Sequence, residues 1–265
     1  MQIDRVNGKQ PHIKPKNYTY QDYKESLELL KQNPYISDVK GERNIDSEEA
    51  KIRIQDALDK LNIPWKAEIK DDVLARMCVL PNKIIHIQKE AKFDETDIDG
   101  LIEHEIKGHI LKRFYGLKTG LYLFVHGLSG KNVTSEGIAV WNSLNNVKKP
   151  KKNIIANIAL RFVISYNKSN MDFCDLFDFI KHIYPSIPDD VLFKTILRSK
   201  REVVDTEILG GLSKDSDYFL GYKYINSLSE KDRNELNKWN IGIDQVKYID
   251  VFDDFFKVNK FESLI

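Results

Sequence analysis

Two histidines five residues apart, in Leu101-Ile102-Glu103-His104-Glu105-Ile106-Lys107-Gly108-His109, constrain this chain more than any other feature. The segment reads as a helix running from Asp97 to Phe114. On a regular α-helix, five steps of about 100° turn the second imidazole about 140° away from the first. A single wide turn of π type brings the fifth residue back to the same face, and Gly108 is where the backbone most easily permits it. If the two rings act together, the spacing predicts a local distortion. With 6 histidines in 265 residues, an H-E-x-x-x-H pattern is expected by chance roughly 0.01 times per chain. The alternative is a pair of solvated surface histidines.

Two imidazoles bind zinc but leave it under-coordinated, so a catalytic site needs a third protein ligand and one open position. Glu136, in Thr134-Ser135-Glu136-Gly137-Ile138-Ala139-Val140-Trp141, is the candidate, near the start of a predicted helix that Thr134 would cap. Gly137 and Ala139 offer small side chains through which this helix would approach the His104 helix closely. The bland reading makes Glu136 a first-turn acid favoured by the helix dipole. Given a metal, Glu105 stands beside His104, is not needed as a ligand, and is placed to move protons between the attacking water and the leaving amine. Glu103 and Asp99 read as solvated surface acids, with a second role as partners of the histidine N–H groups.

Around this segment, 41 Lys and Arg against 40 Asp and Glu leave a formal charge of +1, which argues against a general nucleic-acid binder. A 42% hydrophobic fraction with 11% aromatics builds a substantial core, as one large domain or a core with an appended lobe. Cys78 and Cys174 make no disulfide framework and read as buried and inert. The longest apolar stretch, Gly120 to Leu128, is interrupted by His126 and is far short of a membrane span. The polar opening lacks a secretory core, which leaves the cytoplasm as the default compartment.

Residues 1 to about 20 read as an extended arm, followed by a short helix from Asp22 to Gln32. A clearer helix runs from Ser47, its candidate N-cap, to Leu61. Three runs of strand formers, Trp65 to Ile69, Val73 to Leu80 and Ile84 to Gln88, predict a small antiparallel meander. Helices follow at Ser135 to Asn145, Ile154 to Asn167, Asp172 to Ile183, Asp189 to Val203, Ser216 to Ser227 and Glu230 to Trp239, before an aromatic end, Tyr248 to Phe261. The fold class is α+β: a small antiparallel sheet packed on a mainly helical zincin-like body. The organisation is an arm over 1–45, a metallopeptidase domain over 46–226 and a helical extension over 227–265.

HEIKGHILKRF, then TSEGIAVW, then Arg198-Ser199-Lys200-Arg201 and Gly210-Gly211-Leu212-Ser213-Lys214-Asp215-Ser216-Asp217-Tyr218 resemble the DUF1704 family, which includes the microtubule-associated tyrosine carboxypeptidases. The resemblance covers about Asp46 to Tyr222. It implies zinc ligation by His104, His109 and Glu136, catalysis by Glu105, and a substrate near Arg198, Arg201 or Tyr218. Lys107, Ser135 and Glu202 depart from the family pattern without touching the metal chemistry, and they leave the substrate open, since a shared motif does not transfer one.

The expected activity is a zinc-dependent carboxypeptidase, with one Zn2+ per chain, acting on a peptide or protein C-terminus. An endopeptidase or dipeptidyl-peptidase of the same motif, or a noncatalytic zinc-stabilised binding module, are the rivals. Arg198 and Arg201 are the candidate forks for a terminal carboxylate, and Tyr218 or Tyr222 the candidate donor to an oxyanion. Each of the four also has an ordinary structural reading. An edge at Ile84 to Gln88 offers strand addition to an extended peptide, and Lys148-Lys149-Pro150-Lys151-Lys152 offers attraction to an acidic tail or a plain solvated loop. His86, His126 and His182 lack a partner at ligand spacing. No membrane or nucleic-acid partner is expected.

Overall fold

A computed structural model describes residues 19–36, 43–73, 75–80, 82–201, 203 and 205–252. The expected arm before Thr19, Glu202 and the end of the aromatic tail beyond Phe252 lie outside them. In chain order the elements are α1 (Tyr20–Gln32), α2 (Ser47–Lys60), β1 (Lys66–Lys70), β2 (Met77–Val79), β3 (Ile84–Gln88) and α3 (Glu95–Leu101). A π helix (Ile102–Ile110) follows, then α4 (Leu111–Lys118), α5 (Tyr122–His126), α6 (Lys131–Asn145), α7 (Ile154–Asn167), α8 (Phe173–Ile183) and α9 (Asp189–Ser199). The chain ends through α10 (Ser216–Asn226) and α11 (Glu230–Lys238). The class is α+β, as the patterning predicts.

The chain divides into two compact units, each assembled from two stretches: Met1–Ser37 with Lys152–Leu220, and Asp38–Lys151 with Gly221–Ile265. The first unit is helical. Its core gathers Leu30 of α1, Ala159, Leu160 and Val163 of α7, Leu176 and Ile180 of α8, and Leu192 and Ile196 of α9. These positions recur at three- and four-residue intervals, which is the spacing that lines one helix face. Helix α8 starts at an Asp172 cap that accepts from the Asp175 N–H. Cys174 falls off the Leu176–Ile180 face and is exposed, contrary to the buried reading, while Cys78 is only half-buried.

The second unit carries the sheet. Its strand order is β1-β3-β2, with β1 parallel to β3 and β2 antiparallel to β3, so it is mixed rather than a meander. The alternating burial of β3, with Ile85 and Ile87 fully enclosed, suits the central position. Lys70-Asp71-Asp72 therefore makes no hairpin between β1 and β2, and β3 has a neighbour on each side. Strand addition at β3 is thus excluded, and the sheet edges are β1 and β2. Beneath the sheet, Ile54 and Leu58 of α2, Trp65, Phe93, Ile98, Ile106 and Ile110 form one core. Asp46, not Ser47, caps α2 by accepting from the Glu49 N–H, and the Ser47 hydroxyl instead donates to the Lys89 carbonyl.

Candidate metal centre

The segment from Glu95 to Lys118 is continuously helical, and its middle is the π helix. Asp94 starts it with a capping box, its carboxylate accepting from the Asp97 N–H while the Asp97 side chain accepts from the Asp94 N–H. Asp97 is fully buried and also receives Arg76 through two bonds of 2.7 and 3.0 Å, Arg43 at 3.5 Å, and Lys151. The helix that carries His104 and His109 is therefore anchored at its start by one carboxylate shared among three cations. Within the π helix, the wide turns do what the five-residue spacing requires. The His104 and His109 rings lie 5.1 Å apart, nearly edge to face at 75°.

Gly108 has a second use beyond backbone freedom. A Cβ there would stand 2.6 Å from the Ala139 Cβ and 2.9 Å from its Cα. Helix α6 consequently lies directly against the π helix at Ala139, as the small-residue argument expects. Gly137 serves elsewhere: its missing side chain admits the backbone of Gly221 in α10. Helix α6 also starts earlier than expected, at Lys131, so Thr134 is an interior residue and Glu136 lies beyond the first turn. The dipole explanation for Glu136 loses its basis, because that effect fades within one turn.

The close approach brings the carboxylate to the imidazoles. Glu136 Oε2 is 3.5 Å from His109 Nε2 and 3.7 Å from His104 Nε2. One ligand atom from each of the three residues lies within 4.8 Å of the others. Ligands about 2.0–2.1 Å from a tetrahedral cation stand about 3.3 Å from one another, so this spacing needs little adjustment to hold a metal. His109 Nδ1 is 2.8 Å from the Ser135 hydroxyl, on the same helix as Glu136. With Nδ1 donating to that oxygen, Nε2 keeps its lone pair for a metal. The donor set of two nitrogens and one oxygen suits a divalent cation of intermediate softness and leaves one tetrahedral position for water.

Glu105, adjacent to His104, is half-buried. Its charge, after burial itself, helps raise the pKa of Cys78 on β2, which sets the β2 edge in the electrostatic field of Glu105. Glu103 is not the solvated acid that its position suggested; it is buried, receives the Lys107 ammonium and accepts from Asn146 at 3.1 Å. Asp99 is exposed as expected.

Of the four expected substrate contacts, Tyr222 belongs to the unit that holds His104, His109 and Glu136, and Arg198, Arg201 and Tyr218 to the other. Arg198 Nε donates to the buried Asp215 carboxylate at 3.0 Å. Burial opposes the Arg198 charge, but Asp215 and Tyr218 outweigh it, so the pKa of Arg198 is raised. Tyr218 also lies under the Arg161 guanidinium, 5.1 Å from the ring centre. Arg201 is exposed and donates from Nε to the Arg198 carbonyl. Burial raises the pKa of Tyr222.

Two residues at this centre escape sequence reasoning: Ser135, visible there only as a departure from the family pattern, and the buried Lys112. A signal for Lys112 exists, since it follows Gly108 by four residues and so shares the side of the helix that meets Ala139.

The profile of the family described as "Microtubule-associated tyrosine carboxypeptidase" matches residues 13–257. The chain belongs to this family. Of curated family relatives, the human "Putative tyrosine carboxypeptidase MATCAP2" is 30% identical over 133 residues, covering 48% of this chain and 24% of the relative. The rat "Microtubule-associated tyrosine carboxypeptidase 1" is 28% identical over 128 residues, covering 47% of this chain and 26% of the relative. The match to this chain thus spans about a quarter of the length of either relative. No described helix is long and apolar enough to cross a membrane.

Proposed function

We propose that the chain is a zinc-dependent carboxypeptidase that removes a C-terminal residue from a peptide or protein. The observation that carries this reading is the convergence of His104, His109 and Glu136 at ligand spacing, with the acid Glu105 next to the first of them. Membership of a family described by tyrosine carboxypeptidase activity supports it, and favours a terminal tyrosine as the residue removed.

In this reading His104, His109 and Glu136 hold zinc, Ser135 fixes the His109 ring, and Glu105 stays out of the ligand set. A bound zinc would polarise the scissile carbonyl and acidify the attacking water. Glu105 accepts the proton that the water loses and delivers it to the departing amine. The terminal carboxylate is assigned to Arg201 or Arg198, and donation to the oxyanion to Tyr218 or Tyr222, on the family pattern. Because Asp215 already engages Arg198, Arg201 is the better fork and Arg198 the better support for the Tyr218 hydroxyl.

The test is mass spectrometry of released terminal residues from a peptide library ending in each amino acid. Release of one C-terminal residue, abolished by a chelator and by a C-terminal amide, is expected. Glu105→Gln should keep the metal and lose about two to four orders of magnitude in turnover. Cleavage of amide-blocked peptides, or an active Glu105→Gln protein, overturns the reading.

A further inference from the structure

Two enclosed ammoniums hold one loop. Lys168 closes α7 and Lys200 closes α9, and they are 3% and 2% exposed. Lys200 Nζ donates to the Ile208 carbonyl at 2.8 Å and to the Met171 carbonyl at 3.3 Å. Lys168 Nζ donates to the Leu212 carbonyl, while the Lys168 carbonyl accepts from the Gly210 N–H at 2.7 Å. Among the described residues Lys200 forms no salt bridge; burial lowers its pKa, and the charge of Asp172 opposes this. An ammonium enclosed without a paired carboxylate is costly, and an apolar side chain of similar length would pack there more favourably.

The loop they hold runs from Arg201 to Gly211 within one unit, with Glu202 and Val204 outside the described residues. Its two ends meet. The Leu212 N–H donates to the Ser199 carbonyl at 3.0 Å, and a Cβ on Gly211 would stand 2.3 Å from the same oxygen. The loop's large apolar side chains do not anchor it, since Ile208 and Leu209 are 38% and 47% exposed. It is fixed instead through its backbone, by Lys200 across the neck and by Lys168 where the chain returns. Arg201 stands at the start of the loop, exposed, with Nε donating to the Arg198 carbonyl at 2.9 Å and no carboxylate partner among the described residues. That local bond leaves the two terminal nitrogens of the guanidinium to receive the oxygens of a carboxylate.

We propose that Lys200 is a positioning residue for recognition of the substrate's terminal carboxylate: its ammonium, with that of Lys168, closes the neck of the loop and holds Arg201 as a preformed fork. The pinning stands on the hydrogen bonds alone; the part in recognition rests on the assignment of the terminal carboxylate to Arg201 above. A fork held in place gives up little freedom when the substrate arrives, so the carboxylate binds without first ordering the loop. The contact is the same in the bound substrate and in the transition state, so its loss falls on KM rather than on kcat.

The experiment separates the two. The full chain is compared as wild type, Lys200→Met, Arg201→Gln and the double variant. Hydrogen exchange is read at the Gly210 and Leu212 amides, which should exchange about 10- to 100-fold faster in Lys200→Met, the effect of losing hydrogen bonds to a charged group. Unchanged exchange overturns the pinning. Turnover is then followed on a peptide that ends in tyrosine with a free carboxylate. Lys200→Met should raise KM about tenfold and leave kcat within about twofold. In the Arg201→Gln background it should raise KM no further, because the residue it acts through is gone. An unchanged KM, a loss confined to kcat, or an equal rise with Arg201 already replaced overturns the positioning role. Should Lys200→Met not fold, Lys168→Met replaces it in both arms. A wild type that leaves the peptide uncut refutes the carboxypeptidase reading, while exchange still decides whether the loop is pinned.

Discussion

Gly108→Ala is the substitution that tests most directly whether close packing of two helices makes the metal centre. The added methyl would lie 2.6 Å from the Ala139 Cβ and 2.9 Å from its Cα. Carbons in contact prefer about 3.5–4.0 Å, so the π helix and α6 must part by about 1 Å. Ala139 has no flexible end that can yield, and both residues are buried. Overpacking of this kind costs about 1–3 kcal/mol, against which alanine regains up to about 1 kcal/mol over glycine in a helix. The net loss, about 1–2 kcal/mol, corresponds to roughly 2–8 °C in melting temperature for a chain of this size. On the proposed zinc reading the larger effect falls on the metal, because the two helices carry opposite halves of the proposed ligand set. The His109–Glu136 distance, already 3.5 Å, would lengthen further from the roughly 3.3 Å that ligands of a tetrahedral ion keep between them. Zinc affinity, read by chelator competition, should fall at least about tenfold, as much as losing a ligand's hydrogen-bond partner costs. Adding Ala139→Gly removes the nearer contact and should restore part of both losses. Unchanged zinc affinity and an unchanged melt in Gly108→Ala would refute the argument.

Two other perturbations probe the supports of the same centre. Ser135→Ala removes the oxygen 2.8 Å from His109 Nδ1 and should weaken zinc binding about 10- to 100-fold in chelator competition, with little change in melting. Asp97→Ala leaves Arg43, Arg76 and Lys151 without their shared carboxylate and should cost about 3–5 kcal/mol, seen as an earlier thermal transition by circular dichroism.

Much of the centre is legible in the sequence for a definite reason. An i, i+5 pair of imidazoles demands a wide helical turn, and the π helix over Ile102–Ile110 supplies it. The small residue at Ala139 likewise signals a close approach, which is found. Other features depend on partners distant in the chain. Glu103 has a local partner in Lys107, four residues on, but its burial also needs Asn146, which donates to it from the C-terminal end of α6. The strands are visible as runs of β-formers, but propensity is blind to order, and β2 lies on the far side of β3 from β1. Cys174 is exposed rather than enclosed because an apolar helix leaves the choice of buried face to its neighbours.

By itself, then, the sequence determined the wide helical turn that aligns His104 with His109, and it offered Glu136 as the carboxylate to meet them and Glu105 as the acid beside them, because these rest on spacing and side-chain chemistry. Only the tertiary structure decided how α6 reaches the π helix through Gly108, and which hydroxyl meets His109. Those are matters of contact between segments far apart along the chain. Short-range periodicity carries no record of such contacts, since the same local pattern packs equally well against many different partners.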